Sequence, residues 1–289
     1  MINGGEVTSI RSPRVKAARQ LARRSFRQRA RLFLAEGPQA VREALGAAEK
    51  PDAVVTELFV TAAALSRYSE LVERAAAADA PVHTVSGEVM TELAQTVTPQ
   101  GLLAVCQFVD VPLEQLTAAA PRLLVLLANV RDPGNAGTVL RTADAAGADG
   151  VIFSDASVDP YNSKCVRASA GSLFHLPVVV GSTLIEASAA LARAGVRVLA
   201  ADGSAGRQLD ELEAAGGLAP PTAWLFGNEA WGLPAGLLAL ADEAVAVPIY
   251  GQAESLNLAA AAAVCLYASA RAQRPQWERS PELPPMPGL

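Results

Sequence analysis

Four segments of this 289-residue chain hold residues whose types and spacing could do chemistry. The first reads Asn129-Val130-Arg131-Asp132-Pro133-Gly134-Asn135 and continues through Gly137 to Arg141. Its Asp-Pro-Gly-Asn is turn and capping chemistry, so a helix opening there presents free N–H groups. Gly137 stands one turn before Arg141 on the same face and keeps bulk away from the guanidinium. That suits an anionic or ribose-phosphate group; a plain helix start with a solvated arginine is the alternative. In the second segment Lys164 and Arg167 are three apart on one helix face, where they could bridge a backbone phosphate or form an ordinary exposed charge pair. The third, Phe226-Gly227-Asn228-Glu229-Ala230-Trp231-Gly232-Leu233, ends an apolar run with two glycines. Gly227 removes a side chain where a flat ligand could lie against backbone, or it simply makes a turn. The fourth runs from Val247 and Ile249 through Ser255, Leu256 and Asn257 into an alanine-rich stretch that Ser255 or Asn257 could cap.

Other chemistries lose their usual support. The chain has no G-x-G-x-x-G after a strand, no G-x-x-x-x-G-K-[ST], no H-E-x-x-H and no G-x-S-x-G. Cys106, Cys165 and Cys265 are far apart and only His83 and His175 accompany them, so neither a disulfide nor a metal site is expected. His175, between Phe174 and Leu176, reads as a satisfied core residue. No apolar run reaches the ~18 residues of a membrane span, and the N-terminus is arginine-rich where a secretory signal would be apolar, so a cytoplasmic protein without a membrane partner is expected. The net charge of −5 averages two unlike regions: residues 1–31 hold nine of the 24 Lys and Arg residues and, of the acids, Glu6 alone. A basic arm on an acidic body suits phosphate contact, with a solvated terminus as the alternative.

Elements to position these residues are legible from periodicity. Short apolar runs alternate with helical patterns across 32–108, a small α/β domain. Residues 109–121, bounded by Pro112 and Pro121, read as a linker. From 122 to 273 continuous apolar strands recur near 123–128, 151–153, 178–180, 196–201, 223–226 and 244–247, as in a parallel sheet buried on both faces. The tail, 274–289, is proline-rich. Ligands of such sheets sit at loops leaving the carboxyl ends of strands, where the first, third and fourth segments fall.

In order, these segments resemble the signature motifs of the SpoU/TrmH family of SPOUT RNA 2′-O-ribose methyltransferases. Residues 129–143 look like its first motif, 226–233 its second and 247–258 its third, with Lys164 to Gly171 in its expected place. Glu36-Gly37-Pro38 with Val41, Ala44-Leu45 and Gln100-Gly101 resemble the family's ribosomal-protein-like substrate-binding domain. The resemblance implies a C-terminal parallel-sheet domain with a deep trefoil knot, a rare topology. It implies S-adenosylmethionine held by Gly227, Val247, Ile249, Ser255, Leu256 and Asn257, with no metal. Arg141, Asn135, Glu229 and Asn257 would meet the ribose or organise the loops, and Arg131, Arg141, Lys164 and Arg167 would meet RNA. Ribosomal RNA is the substrate implied, guanosine being one candidate base, and a homodimer is implied as well. One departure is Leu258-Ala259-Ala260, where many relatives carry a hydroxyl residue. The rival readings are a non-catalytic RNA-binding or ribosome-assembly protein of the same fold, a transfer-RNA methyltransferase, and an open α/β enzyme for a small acidic metabolite.

Overall fold

The protein is described here by a computed structural model covering residues 6–47, 54–228 and 230–274. Glu229 and the tail beyond Arg274 lie outside the described residues. The first domain runs α1 (Pro13–Gln20), α2 (Arg24–Ala30), β1 (Leu32–Glu36), α3 (Pro38–Gly46), β2 (Val55–Thr61), α4 (Ala62–Arg67), α5 (Ser69–Ala77), β3 (Val82–Val85), α6 (Gly87–Leu93) and β4 (Leu102–Gln107). After α7 (Leu113–Ala118) come β5 (Leu123–Leu127), α8 (Pro133–Ala145), β6 (Gly150–Ser154), α9 (Ser163–Ala168), β7 (Val178–Ser182), α10 (Leu184–Arg193), β8 (Arg197–Ala201) and β9 (Arg207–Gln208). The chain then forms α11 (Leu209–Ala214), β10 (Thr222–Phe226), α12 (Ala235–Leu238), β11 (Glu243–Ala246) and α13 (Leu258–Gln273).

The small sheet has the order β1-β4-β2-β3 and the large one β7-β6-β5-β10-β8-β11-β9. Every pairing in the large sheet is parallel. Its central strands β5, β6 and β10 are buried at every position, because helices cover both faces. Leu123, Val125 and Leu127 face a core shared with α8, α9 and α13, while Leu124 and Leu126 face one shared with α7 and α10. Small side chains let α13 lie close: Ala259, Ala262 and Ala268 are buried, and Trp224 donates from Nε1 to Ser269 Oγ at 2.8 Å.

The basic N-terminal stretch differs from a free arm. Pro13 starts α1, whose Val15 and Ala18, together with Leu21, pack on Leu34, Phe59, Val85 and Met90. Four of its arginines are committed to carboxylates: Arg14 to Glu57 at 3.2 Å, Arg19 to Glu92, Arg31 to Asp110 at 2.9 Å and Arg27 to Asp159 at 2.6 Å. Residues 109–121 are likewise more than a spacer. Leu113 and Leu116 of α7 are buried, and the backbone N–H groups of Val109 and Asp110 donate to Tyr161 Oη at 2.9 and 2.8 Å. Burial, followed by the charge of Asp110, raises the Tyr161 phenol above its ordinary value, so it stays a neutral donor to that carboxylate.

His175, expected in the core, instead bridges the domains at the surface. Its ring meets Asp144 of α8 at 2.8 Å and Glu43 of α3 at 3.1 Å. Burial pulls the imidazole pKa down, yet the hydrogen bonds and charges of the two carboxylates outweigh it and the net direction is up. A raised folded-state pKa adds stability that is full below the unfolded value of about 6.5 and lost as pH rises through the folded value. For a ring this exposed the contribution is below about 1 kcal/mol. The melting temperature of the protein should therefore fall slightly between pH 6 and pH 8, and His175→Gln should flatten that part of the profile; an unchanged slope would remove His175 as its source.

Candidate active site

Because the large sheet is parallel, the loops leaving β5, β8, β10 and β11 emerge at one edge. Residues of three of those loops and the start of α13 enclose a cavity of about 470 Å³ lined by Asp202, Gly227, Val247, Ser255, Leu256 and Asn257 among others. All six residues expected to hold a cofactor line it, Ile249 included. A second cavity of about 520 Å³ adjoins it, lined by Arg131, Asp132, Asn135, Asn228, Trp231 and Asn257. Asn228, Ala230 and Asn257 belong to both, so they form the boundary between the two spaces. A larger cleft of about 1120 Å³ lies between α7, β7 and α10, and none of the four segments contributes to it.

Local chemistry fixes the loops. Asp132 caps α8, Oδ1 accepting from the Asn135 N–H at 2.9 Å, while Oδ2 pairs with Lys164 Nζ at 2.9 Å. The lysine hydrogen bond, and next the one from Asn135, hold the Asp132 carboxyl below its usual range. Asn257 caps α13 through Oδ1 on the Ala259 N–H and donates from Nδ2 to Asn135 Oδ1 at 3.1 Å. The first and fourth segments thus meet side chain to side chain across 122 residues of sequence. Asn129, at φ 56°, turns its carbonyl to receive Asn228 Nδ2 at 2.8 Å, which ties the first segment to the third.

Two stretches of the chain match known families: residues 122–267 match the SpoU rRNA Methylase family, and residues 12–104 match the MRM3-like substrate binding domain. The chain belongs to the SpoU rRNA methylase family. It is 34% identical over 262 residues to the Bacillus subtilis protein named 23S rRNA (guanosine(2553)-2′-O)-methyltransferase RlmP, covering 91% of this chain and 98% of that one. An AdoMet-bound rRNA methyltransferase from Sinorhizobium meliloti superposes with a TM-score of 0.80 at 31% identity, covering 92% of this chain and 97% of that chain. AviRb from Streptomyces viridochromogenes, solved with the cofactor AdoMet, superposes at 0.78 with 28% identity over 92% of this chain and 100% of that one.

Within this SpoU-family fold several expected residues stand differently from their sequence reading. Gly137 does not clear space for a ligand: a Cβ there would meet the Cys165 carbonyl oxygen and the Ala168 Cβ, so the glycine lets α8 and α9 touch. Lys164 and Arg167 do not share one phosphate site, since Lys164 pairs with Asp132 and Arg167 reaches Glu36 of the first domain at 3.3 Å. Arg141 is exposed on α8 and lines neither cavity of the single chain. Glu229 lies outside the described residues. Sequence reasoning missed Asn228 and Asp202; the asparagine directly after Gly227 was the available signal, whereas nothing local marks Asp202.

Gly227, besides lining the first cavity, is demanded by the backbone packed against it. An added Cβ would sit 2.5 Å from the Gly232 carbonyl carbon and oxygen and 2.8 Å from Leu233 Cγ, so the 228–232 turn would have to move. Gly227→Ala should cost about 1–3 kcal/mol as overpacking against unyielding backbone, read as a lower denaturant midpoint. A midpoint equal to that of the parent protein would show that the turn yields freely.

Proposed function

We propose that this protein transfers a methyl group from S-adenosylmethionine to a ribose 2′-hydroxyl of ribosomal RNA. The observation that carries this reading is the convergence of Gly227, Val247, Ile249, Ser255, Leu256 and Asn257 on one cavity that opens onto a second, polar one. The cavity fits the cofactor's chemistry: Val247, Ile249 and Leu256 offer apolar walls, and the Asp202 and Glu254 carboxylates lie where a cationic ligand gains. When bound, the cofactor supplies a methyl group on a sulfonium centre, open to in-line displacement by the ribose oxygen.

The chain's own residues align the two reactants, which is most of what such a displacement requires. Asn135 and Asn257, bonded to each other at the boundary, fix where the ribose edge sits, and Arg131 faces the RNA side of the second cavity. Arg141 orients the hydroxyl and stabilises developing alkoxide charge; a guanidinium holds its protons too tightly to be a good base, so a phosphate oxygen or water takes the proton. Glu229, outside the described residues, completes the set that the family resemblance assigns to the ribose or to organising the loops. Arg11, Lys16, Arg23, Arg24 and Arg29 are exposed on or beside α1 and α2 and supply RNA contact from the first domain, together with Lys164 and Arg167 at the domain junction.

A homodimer belongs to this reading, as does the trefoil knot around the 247–257 loop. Val264 and Tyr267 of α13 are exposed apolar side chains on the α8–α13 face, and a second copy seated there would bring Arg141 to a cavity it does not line within one chain. No helix among the described residues is long and apolar enough to cross a membrane. The test is labelled methyl transfer from S-adenosylmethionine to ribosomal RNA, followed by mapping of 2′-O-methyl sites. Transfer to one ribose is the expected result; RNA binding without transfer would leave a non-catalytic RNA-binding protein, and transfer confined to transfer RNA would change the substrate.

A further inference from the structure

The second cavity holds a side chain that neither cofactor binding nor ribose alignment uses. Trp231 lines it together with Arg131, Asn135 and Asn257, and 58% of its surface is exposed. The contrast with Trp224 is instructive, because that indole is fully buried with its N–H bonded to Ser269. Backbone geometry holds Trp231 out. Asn228 and Gly232 pair through 3.0 and 2.9 Å hydrogen bonds, Asn228 Oδ1 accepts from the Ala230 N–H at 2.8 Å, and Gly232 closes the turn at φ 65°. The flanking positions being fixed, the indole projects from a braced turn at the edge of the cavity. Among the described residues it is the aromatic side chain of that cavity.

On the reading that the ribose 2′-oxygen reacts at the boundary marked by Asn135 and Asn257, covalent geometry places the nucleobase nearby, since it is carried by the ring carbon next to the reacting one. The base therefore has to lie in, or at the rim of, the second cavity. RNA bases presented outside a helix are held by stacking on aromatic faces. We infer that Trp231 is the stacking platform for the base of the methylated nucleotide and so sets how tightly that nucleotide is held. The polar side chains around it leave stacking as the main apolar contribution open to the base. A rigid aromatic with few rotatable bonds loses little entropy in making that contact.

The experiment uses the full-length protein and an RNA fragment containing its mapped methylation site, in natural form and with an abasic ribose at the target. Trp231→Ala should lower kcat/KM on the natural fragment about 5- to 150-fold, the range that base–aromatic stacking supports. Trp231→Phe should keep most of the activity. Cofactor affinity by calorimetry and oligomeric state by light scattering should not change. The abasic fragment should be a correspondingly poor substrate for the parent protein, yet Trp231→Ala should lose little more on it, because the two changes remove one interaction. Multiplying losses would overturn the inference, as would full activity of Trp231→Ala or an altered oligomeric state. Absence of transfer by the parent protein on any ribosomal RNA would instead defeat the underlying functional reading.

Discussion

Arg141→Ala is expected to slow methyl transfer by ~10²–10³ while leaving the affinity for S-adenosylmethionine nearly unchanged. Losing a preorganised donor aimed at charge that develops in the transition state costs roughly 3–4 kcal/mol. The split between rate and cofactor affinity follows from position, since Arg141 stands on α8 away from the cavity that Gly227, Val247 and Leu256 line. Single-turnover transfer with saturating cofactor, paired with calorimetry, reads both quantities. Arg141→Lys should recover only part of the rate, because an ammonium lacks the planar fork of donors. An alanine variant with most of its activity would remove Arg141 from the reaction; one that lost cofactor affinity in proportion would move it to the cofactor's side.

Arg27→Ala is expected to destabilise the protein by about 3–5 kcal/mol, the cost of removing one partner from a buried ion pair. Arg27 is 4% exposed and sends Nε and Nη2 to Asp159 Oδ2 at 2.9 and 2.6 Å, while Nη1 donates to the carbonyls of Leu21 and Ala22 at 2.9 Å each. Without it the Asp159 carboxylate, also buried, keeps the Tyr161 N–H as a donor but has no counter-charge. Against a total stability of about 5–15 kcal/mol this is a large share. Denaturant unfolding monitored by circular dichroism measures it, and a double replacement, Arg27→Met with Asp159→Leu, should recover much of the loss because no charge is then left buried. A cost below about 1 kcal/mol for Arg27→Ala would mean that solvent reaches the pair.

This pair also shows how far the sequence could be read. Residues 1–31 declared themselves as basic, and their charge was legible; their partners were not. Arg27 meets a carboxylate 132 positions away and Arg31 one 79 positions away. The small hydrophobic side chains Val15, Ala18 and Leu21 that dock α1 onto the first sheet are too sparse to stand out among so many arginines. His175 was misread for a related reason. Its apolar neighbours Leu173 and Phe174 are buried, and the turn after them points the imidazole outward between two acids.

By itself the sequence located the main strands of the two α/β regions and the residues at their ends, though not α1, α2, α7 or β9. Continuous apolar runs such as 123–127 suit only a sheet covered on both faces, and Asp132 and Asn257 are capping residues wherever a helix follows them. Only the tertiary structure decided that Asn135 and Asn257 touch, that Gly137 and Gly227 make room for neighbouring backbone, that Lys164 and Arg167 answer to different carboxylates, and that Arg141 stands apart from both cavities. Helix caps and periodicities arise from bonds within a few residues, so they leave a local pattern. A glycine's missing side chain, a salt bridge and a cavity wall are each defined by what arrives from elsewhere in the chain, and that is fixed only when the parallel strands bring their carboxyl ends to a common edge.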